Sequence, residues 1–363
     1  MKMMRKEMMK GMMMAAALVA SVGITAQDMH FSNYNENPAL VNPALTGVAS
    51  NYRFGLIYKD QWRAVTVPYQ TYGGYFDMRL KLNAWEKVND HLTEIYKKAF
   101  RKLAAGLSFY SDRAGDGAMS NTRGDLSIST RVETAQYSFI AAGLQFGIVQ
   151  RKVDFSKFIW PDQFVGTGYN TAVDPGESFN SSNFIHFDMA GGLLWAYDRG
   201  ERGIRTNNEL KADAGLAYYH ITKPKQKWLN SSDERLLPKA VIHGKCLFGI
   251  KNSTLSLYPS FLVQFQGPSK EIMFGSLLRY KFKDDSKFTG YIKATHMGFG
   301  AHYRNRDALI VSGFMEFGTY SFGMSYDVNT SGLHPVTNYR GGFEVFLRFS
   351  GVTPFIYQNA ASF

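Results

Sequence analysis

The sequence predicts an all-β, antiparallel transmembrane outer-membrane β-barrel of about 14 strands, with a short irregular N-terminal segment and one inserted helix. Three observations predict it. The chain opens on an export-type leader. No later stretch approaches the 18 consecutive apolar residues of a transmembrane helix. Segment after segment alternates apolar with polar residues, in a chain of 363 residues that is 15% aromatic and holds 34 Gly. A strand turns successive side chains to opposite faces, so such segments build a wall with one oily and one wet face, as every strand of a membrane barrel must. Closure is then obligatory, because an open edge in hydrocarbon leaves rows of unpaired N–H and C=O groups, each costing on the order of several kcal/mol.

Residues 1–26 carry the leader signature. Lys2, Arg5, Lys6 and Lys10 form a basic start, 11–25 is a Met- and Ala-rich apolar run too short to span comfortably, and Ala26 precedes an expected cut before Gln27. The residues after that cut include no Cys, which excludes a lipoprotein anchor. The expected organisation is a signal peptide at 1–26, a plug or rim segment at 27–50, the barrel at 51–350 and a tail at 351–363. Four basic residues and Glu7 give the leader +3, leaving +8 of the chain's +11. The Lys and Arg are scattered among strands rather than gathered in one stripe, which argues against nucleic acid. Anionic lipid headgroups of the outer membrane and an acidic partner surface suit the charge better.

Along the chain, Asn37-Pro38-Ala39-Leu40 is followed closely by Asn42-Pro43-Ala44-Leu45. Two prolines so near are expected to exclude a helix and a central strand. The segment is expected to be extended or turn-rich, folding into the lumen or lying on the periplasmic rim, with the lumen preferred. Strands are expected at 51–59, 69–80, 103–111, 123–132, 138–150, 183–198, 208–221, 239–250, 253–266, 270–283, 288–303, 307–317, 319–329 and 338–349, an even number as single-chain bacterial barrels have. The patterning is explicit in 125–133, where Leu126, Ile128, Thr130 and Val132 oppose Ser127, Ser129, Arg131 and Glu133. In 254–266, Leu255, Leu257, Phe261, Val263 and Phe265 oppose Ser256, Ser260, Gln264 and Gln266. In 271–282, Ile272, Phe274, Leu278, Tyr280 and Phe282 oppose Glu271, Arg279 and Lys281. In 340–350, Phe343, Val345, Leu347 and Phe349 oppose Glu344, Arg348 and Ser350, and Phe346 alone breaks the pattern.

Between 82 and 100, Leu82, Trp85, Val88, Leu92, Tyr96 and Phe100 recur at helical spacing, predicting an amphipathic helix that packs on the rim. Lys251-Asn252-Ser253, Gly267-Pro268-Ser269 and the break at Gly318-Thr319 are expected to be tight periplasmic turns. The long stretches 152–183 and 223–239 are candidates for the outer face.

Catalytic signatures do not occur in the sequence: there is no HExxH, GxSxG, P-loop or CxxC, and no GxGxxG before a helix. Cys246 is single, so it has no internal disulfide partner and builds no zinc cluster alone. The run from Asp112 to Gly117 has the composition of a hairpin turn and lacks the distal Glu of a calcium loop. His186, His243 and His296 sit in strand patterns and are expected to be satisfied lumen or interface groups. Neither enzyme chemistry nor a cofactor nor a metal is expected.

An ordered set of motifs then carries a resemblance. His30-Phe31-Ser32, the two Asn-Pro-Ala-Leu runs with Thr46-Gly47, Tyr58-Lys59-Asp60-Gln61-Trp62, Thr71-Tyr72 with Phe76-Asp77, and Phe109-Tyr110-Ser111-Asp112-Arg113-Ala114-Gly115 come first. Gly143-Leu144-Gln145, Asp154-Phe155-Ser156-Lys157, Gln266-Gly267-Pro268 with Glu271, and Tyr303-Arg304-Asn305-Arg306-Asp307-Ala308 follow, ending with the run Tyr326-Asp327-Val328-Asn329-Thr330-Ser331-Gly332-Leu333 and with Gly341-Gly342-Phe343-Glu344. The set resembles the PorP/SprF family of outer-membrane barrels of the type IX secretion system over essentially the whole mature chain. Stretch 82–100 and the tail after 350 depart from the family pattern, so either Phe349 or Phe363 could be the terminal aromatic that aids insertion.

The resemblance implies a non-enzymatic role in exporting cargo proteins with a C-terminal sorting domain to the cell surface, and in some members in gliding motility through adhesins. It implies work beside the periplasmic ring and peptidoglycan-binding components of the machine. Asn42, Pro43, Gln61, Trp62 and Arg113, which fall within the family-like motifs, are the candidate partner-binding residues. The competing expectation is an outer-membrane channel for a small or hydrophobic solute, with 37–46 as its hatch.

Overall fold

The computed structural model describes residues 28–351, apart from 64–66, 81–101, 116–118, 167, 175, 177–181, 201–206, 227–234, 284–293 and 333–336. Fourteen strands follow one another in antiparallel order: β1 (Tyr52–Gln61), β2 (Tyr69–Arg79), β3 (Leu103–Ala114), β4 (Met119–Ala135), β5 (Ser138–Lys152), β6 (Asn183–Arg199), β7 (Leu210–Tyr219), β8 (Lys239–Gly249), β9 (Leu255–Gln266), β10 (Ser269–Lys283), β11 (Thr295–Arg304), β12 (Ala308–Phe317), β13 (Tyr320–Asn329) and β14 (Arg340–Gly351). Each pairs with its sequence neighbour, and β1 closes on β14 from Tyr52↔Gly351 to Gln61↔Gly342, so the sheet has no free edge. Among the described residues no helix is long and apolar enough to cross a membrane.

The alternation resolves into an outer and an inner wall. On β14, Phe343 and Leu347 face outward at 42% and 45% exposure, while Glu344 faces inward at 1%. On β4, Leu126 and Ile128 are outside, and Arg123, Asp125, Ser127 and Ser129 are buried inside. Aromatic clusters mark two levels of the outer wall. At the end where residue 51 enters β1, here the near end, Tyr52 and Tyr320 flank Phe349 with centroids 5.8 Å and 5.0 Å away, and Tyr280 meets Phe282. At the far end, Tyr58 meets Tyr72 at 5.0 Å, Trp62 meets Tyr69 at 4.9 Å, and Phe274 meets Tyr303 at 5.8 Å. Such girdles bracket the apolar band of a membrane barrel.

Residues 28–50 lie inside the barrel. They fold into two 3-10 turns, Tyr34–Glu36 and Pro43–Leu45, around one α-helical turn, Pro38–Val41, with Pro38 and Pro43 at helical first positions where their missing N–H costs nothing. Gly47, with φ +66°, then turns the chain toward β1. A Cβ there would lie 2.3 Å from that of Ala104, so position 47 needs Gly for both backbone and space.

Two expectations need correction. Antiparallel parity puts Gly267-Pro268 at the far end, with the connections 153–182 and 220–238, whereas 251–253 and Gly318-Thr319 lie at the near end. The three tight turns therefore do not share a side, because each added strand reverses direction. The two prolines, expected to exclude a helix, instead open short helical turns, Pro38–Val41 and Pro43–Leu45, because each sits at the start of its turn, where a missing N–H has no partner to lose. β11 is described from Thr295, the earlier part of its expected span 288–303 lying outside the described residues. The helix expected at 82–100, the leader and the tail after 351 also lie outside the described residues.

Candidate functional site

The N-terminal segment makes the lumen a built site. Its apolar side chains dock on an inward-facing collar contributed by strands around the whole circumference. Tyr34, Val41, Ala44 and Leu45 pack with Leu194, Tyr219, Val241, Leu262, Met273 and Ile310, and Phe31 and Leu40 pack with Ile57, Tyr110 and Phe346. Burying a Leu- or Phe-sized side chain is worth about 1.5–3 kcal/mol, so the collar is a substantial part of what holds the segment.

The second Asn-Pro-Ala-Leu run is gripped most closely. Asn42 is fully buried; its Nδ2 donates to the Leu193 carbonyl at 3.0 Å and the Leu216 carbonyl at 3.3 Å, and lies 3.0 Å from His243 Nε2. Its Oδ1 caps the following turn by accepting from the Ala44 N–H at 2.9 Å. Three glycines make room for it. A Cβ on Gly192 would fall 2.0 Å from Asn42 Oδ1, one on Gly215 2.6 Å from Asn42 Nδ2, and one on Gly143 2.5 Å from the Pro43 and Ala44 backbone.

Toward the far end, charged side chains from five strands converge on 30–33. Lys59 Nζ donates to the His30 carbonyl at 2.9 Å, and Glu344 accepts from the Ser32 and Asn33 N–H groups at 2.8 Å and 2.9 Å. Asp327 accepts from Ser32 Oγ and Arg304 Nη2, both at 2.8 Å, and Glu271 stands 3.9 Å from His30 Nδ1. Lower in the lumen, Glu36 pairs with Arg348 at 2.7 Å, which continues through Glu316 to Arg279. All four side chains are half-buried, so removing one member costs less than the loss of a fully buried partner would.

At the far mouth stands Asp28, the first described residue. Its carboxylate lies 2.6 Å from His220 Nε2 and 3.0 Å from Lys239 Nζ, and its N–H donates to Gln266 Oε1 at 3.2 Å. His220 Nδ1 lies 2.8 Å from Asp188, beside Arg123 and Asp125. Burial opposes the charge on both groups. For Asp28, Lys239 and His220 prevail and hold the carboxyl well below its usual range; for His220, its carboxylate neighbours push the imidazole up. With both ring nitrogens committed to carboxylates, His220 has none left for general-base work.

The structure separates the sequence candidates into two groups. Asn42 and Pro43 are buried in the lumen against β5, β6, β7 and β8. Gln61, Trp62 and Arg113 gather at the far rim on β1 and β3, with Gln61 opposite Tyr69 and Arg113 opposite Gln70 of β2. Trp62 has φ 55°, donates its N–H to the Gly341 carbonyl at 2.8 Å, and stacks edge-on to Tyr69. Sequence reasoning passed over Lys59, Glu271, Arg304, Asp327 and Glu344, although all five lay in the quoted motifs. Their inward parity on otherwise oily strands was the available signal.

His243 meets Asn42 as described, and His296 Nδ1 is 3.8 Å from Glu316, but the ring nitrogens of His186 make no hydrogen bond. That departs from the expected satisfied state. Among the described residues no group of three or more His, Cys, Asp or Glu is placed to hold a metal ion. These contacts hold the segment against the inner wall of the barrel.

Comparison with known proteins adds the following. The family model described as "Type IX secretion system membrane protein PorP/SprF" matches residues 24–349. No curated protein matches the sequence. Among solved structures, the Ralstonia pickettii toluene transporter TbuX aligns at 11% identity, TM-score 0.45, covering 86% of this chain and 92% of that one. The TodX deltaS2S3 mutant monoaromatic hydrocarbon channel aligns at 10% identity, TM-score 0.46, covering 87% and 94%. CdiB from Acinetobacter baumannii aligns at 8% identity, TM-score 0.40, covering 83% and 60%. The barrel assignment rests on the strand ladder itself.

Proposed function

The chain belongs to the PorP/SprF family of type IX secretion system membrane proteins, and from that premise we propose that it is a non-enzymatic outer-membrane component that supports export or surface display of cargo proteins. The family is one of secretion-system outer-membrane barrels and not a known enzyme family, and membership implies interaction with other components of the system. In this reading the cargo carries a C-terminal sorting domain, gliding adhesins are among its possible forms, and the near end faces the periplasmic ring and peptidoglycan-binding components. The far end, with its long connections and the Gln61, Trp62 and Arg113 cluster, faces the cell surface. The leader 1–26 is removed on export, 27–50 serves as the luminal segment, 51–350 is the barrel, and 351–363 is a tail.

One observation carries the reading: the lumen is filled by the chain's own N-terminal segment, seated on an apolar collar and on buried charges. A filled lumen suits a docking element better than a solute pore. Deleting the gene in its host and quantifying surface and medium proteins tests the proposal. Loss of many sorting-domain proteins marks a general machine component, and loss of one or a few marks a dedicated adaptor. If every cargo reaches the surface, the secretion role fails and the solute channel takes its place.

A further inference from the structure

The luminal segment crosses the whole barrel. Its near end is tied at the near rim, where Arg79, the last residue of β2, donates to the Gly47 and Val48 carbonyls at 2.6 Å each, and Asp77 accepts from the Gly47 N–H. Its other end, Asp28, is held by residues that all stand at the far rim. His220 follows the last residue of β7, Lys239 begins β8 and Gln266 ends β9. One end is thus covalently continuous with β1; Asp28, toward the other, is fastened by side chains of the barrel, and with the leader 1–26 removed as proposed above only Gln27 precedes it.

The fastening has the marks of a built part. His220 takes a positive φ of 58° with no glycine to relieve it, a conformation that persists only where surrounding contacts impose it. It is itself braced by Asp188, with Arg123 and Asp125 behind, and Lys239 lies over the Tyr219 ring at 4.8 Å. These partners sit at the foot of the 220–238 connection and beside the Gly267-Pro268 turn. Anything that docks on the far mouth and shifts His220 or Lys239 acts directly on the fastening.

We infer that residues 28–50 form a strap that couples the two faces of the membrane, latched at the far mouth by Asp28, His220 and Lys239, so that unlatching removes its far-end hold and lowers the cost of withdrawing it from the collar toward its covalent root at the near end. The strap spans the depth of the barrel, so an event at the far mouth is transmitted as exposure of the strap at the near rim and opening of the lumen. The device does not depend on which cargo is carried. It operates equally if the barrel proves to be a channel.

The test uses the full-length protein in its own outer membrane, with Cys246→Ser as background and Asn35→Cys as reporter in the middle of the strap. Labelling by a membrane-impermeant maleimide is followed from outside intact cells and, after permeabilisation, from the periplasmic side. The latched protein labels slowly from both sides. Asp28→Asn and His220→Gln each raise periplasmic-side labelling by at least about tenfold, as losing charge-assisted hydrogen bonds requires, and conductance appears in planar bilayers. Unchanged labelling in variants that keep heat-modifiable barrel migration overturns the inference, as does a rise seen only from the surface side. If either variant fails to form a heat-modifiable barrel, Lys239→Gln, which removes one contact and leaves the His220 pair, is read by the same criteria.

Discussion

Replacing Asn42 with Ala strikes the strap where its geometry is tightest and leaves every strand residue in place. The change removes the Oδ1 that accepts from the Ala44 N–H, leaving that buried donor unpaired, which costs about 1–3 kcal/mol. It also removes the Nδ2 that donates to the Leu193 and Leu216 carbonyls, a net loss of about 1 kcal/mol because both carbonyls belong to sheet strands. Together these weaken docking by about 2–4 kcal/mol, or roughly 30- to 900-fold in the ratio of docked to undocked strap. Hydrogen exchange of the purified protein in micelles checks this. Peptides covering 38–46 should exchange faster by that factor, while peptides within β9 and β12 keep their protection. Gly192→Ala attacks the same contact from the barrel side, its Cβ falling 2.0 Å from Asn42 Oδ1, and should raise exchange in the same peptides. If Asn42→Ala leaves 38–46 protected while the barrel stays folded, the seat is not what holds the strap.

Other outcomes follow from the same contacts. Phe346→Ala should cost about 3–5 kcal/mol, felt mainly by Phe31 and Leu40 of the strap, so strap exchange rises while heat-modifiable migration persists; Leu347→Arg, on the outer face, should instead destabilise the barrel by about 2–4 kcal/mol if it sits near mid-membrane. Raising the pH should loosen the latch. His220 is pushed above its ordinary 6.5, so its contribution is complete below 6.5 and lost as pH rises through the folded value. Asp28 is held well below 3.8, so its contribution is complete above 3.8 and lost only as pH falls through that lowered value. With Asp188, Arg123, Asp125 and Lys239 facing the pair, the protection of the first strap peptide, taken relative to the intrinsic exchange rate at each pH, should be lower at about pH 9 than at about pH 6, and this difference in protection should vanish in His220→Gln. Changing Trp62 and Arg113 together to Ala should leave heat-modifiable migration intact and lower the cargo at the surface; normal display would remove the far rim from consideration.

Most strands were legible because a membrane wall demands the same two-residue rhythm everywhere. Strand 320–329 was expected at 319–329, and 255–266 at 253–266. Sidedness of the tight turns was not legible from composition, since Gly267-Pro268 and Gly318-Thr319 have similar chemistry and only strand parity distinguishes their ends. The partners of the strap were hidden for a different reason. Lys59 and His30 are near in sequence, but Ser32 and Glu344 are separated by 312 positions, and no local pattern pairs residues across that distance. Asn42 was named as a candidate partner-binding residue, and its neighbours are its own barrel wall rather than an open surface.

The residues that broke the alternation did contain the missing information. A water-filled lumen favours polar inward side chains, so an apolar residue at an inward position is a cost unless something apolar covers it. Phe346 was one such exception, and Leu262, Met273 and Ile310 occupy equivalent inward positions on β9, β10 and β12, each at most 1% exposed. Ile57, Tyr110, Leu194 and Val241 extend the set to β1, β3, β6 and β8, and every member belongs to a cluster that includes strap residues. Departures from the barrel pattern thus trace the footprint of the strap around the inner wall. The same rhythm that assigns one face of each strand to lipid therefore also records, through its exceptions, that the other face is not simply wet.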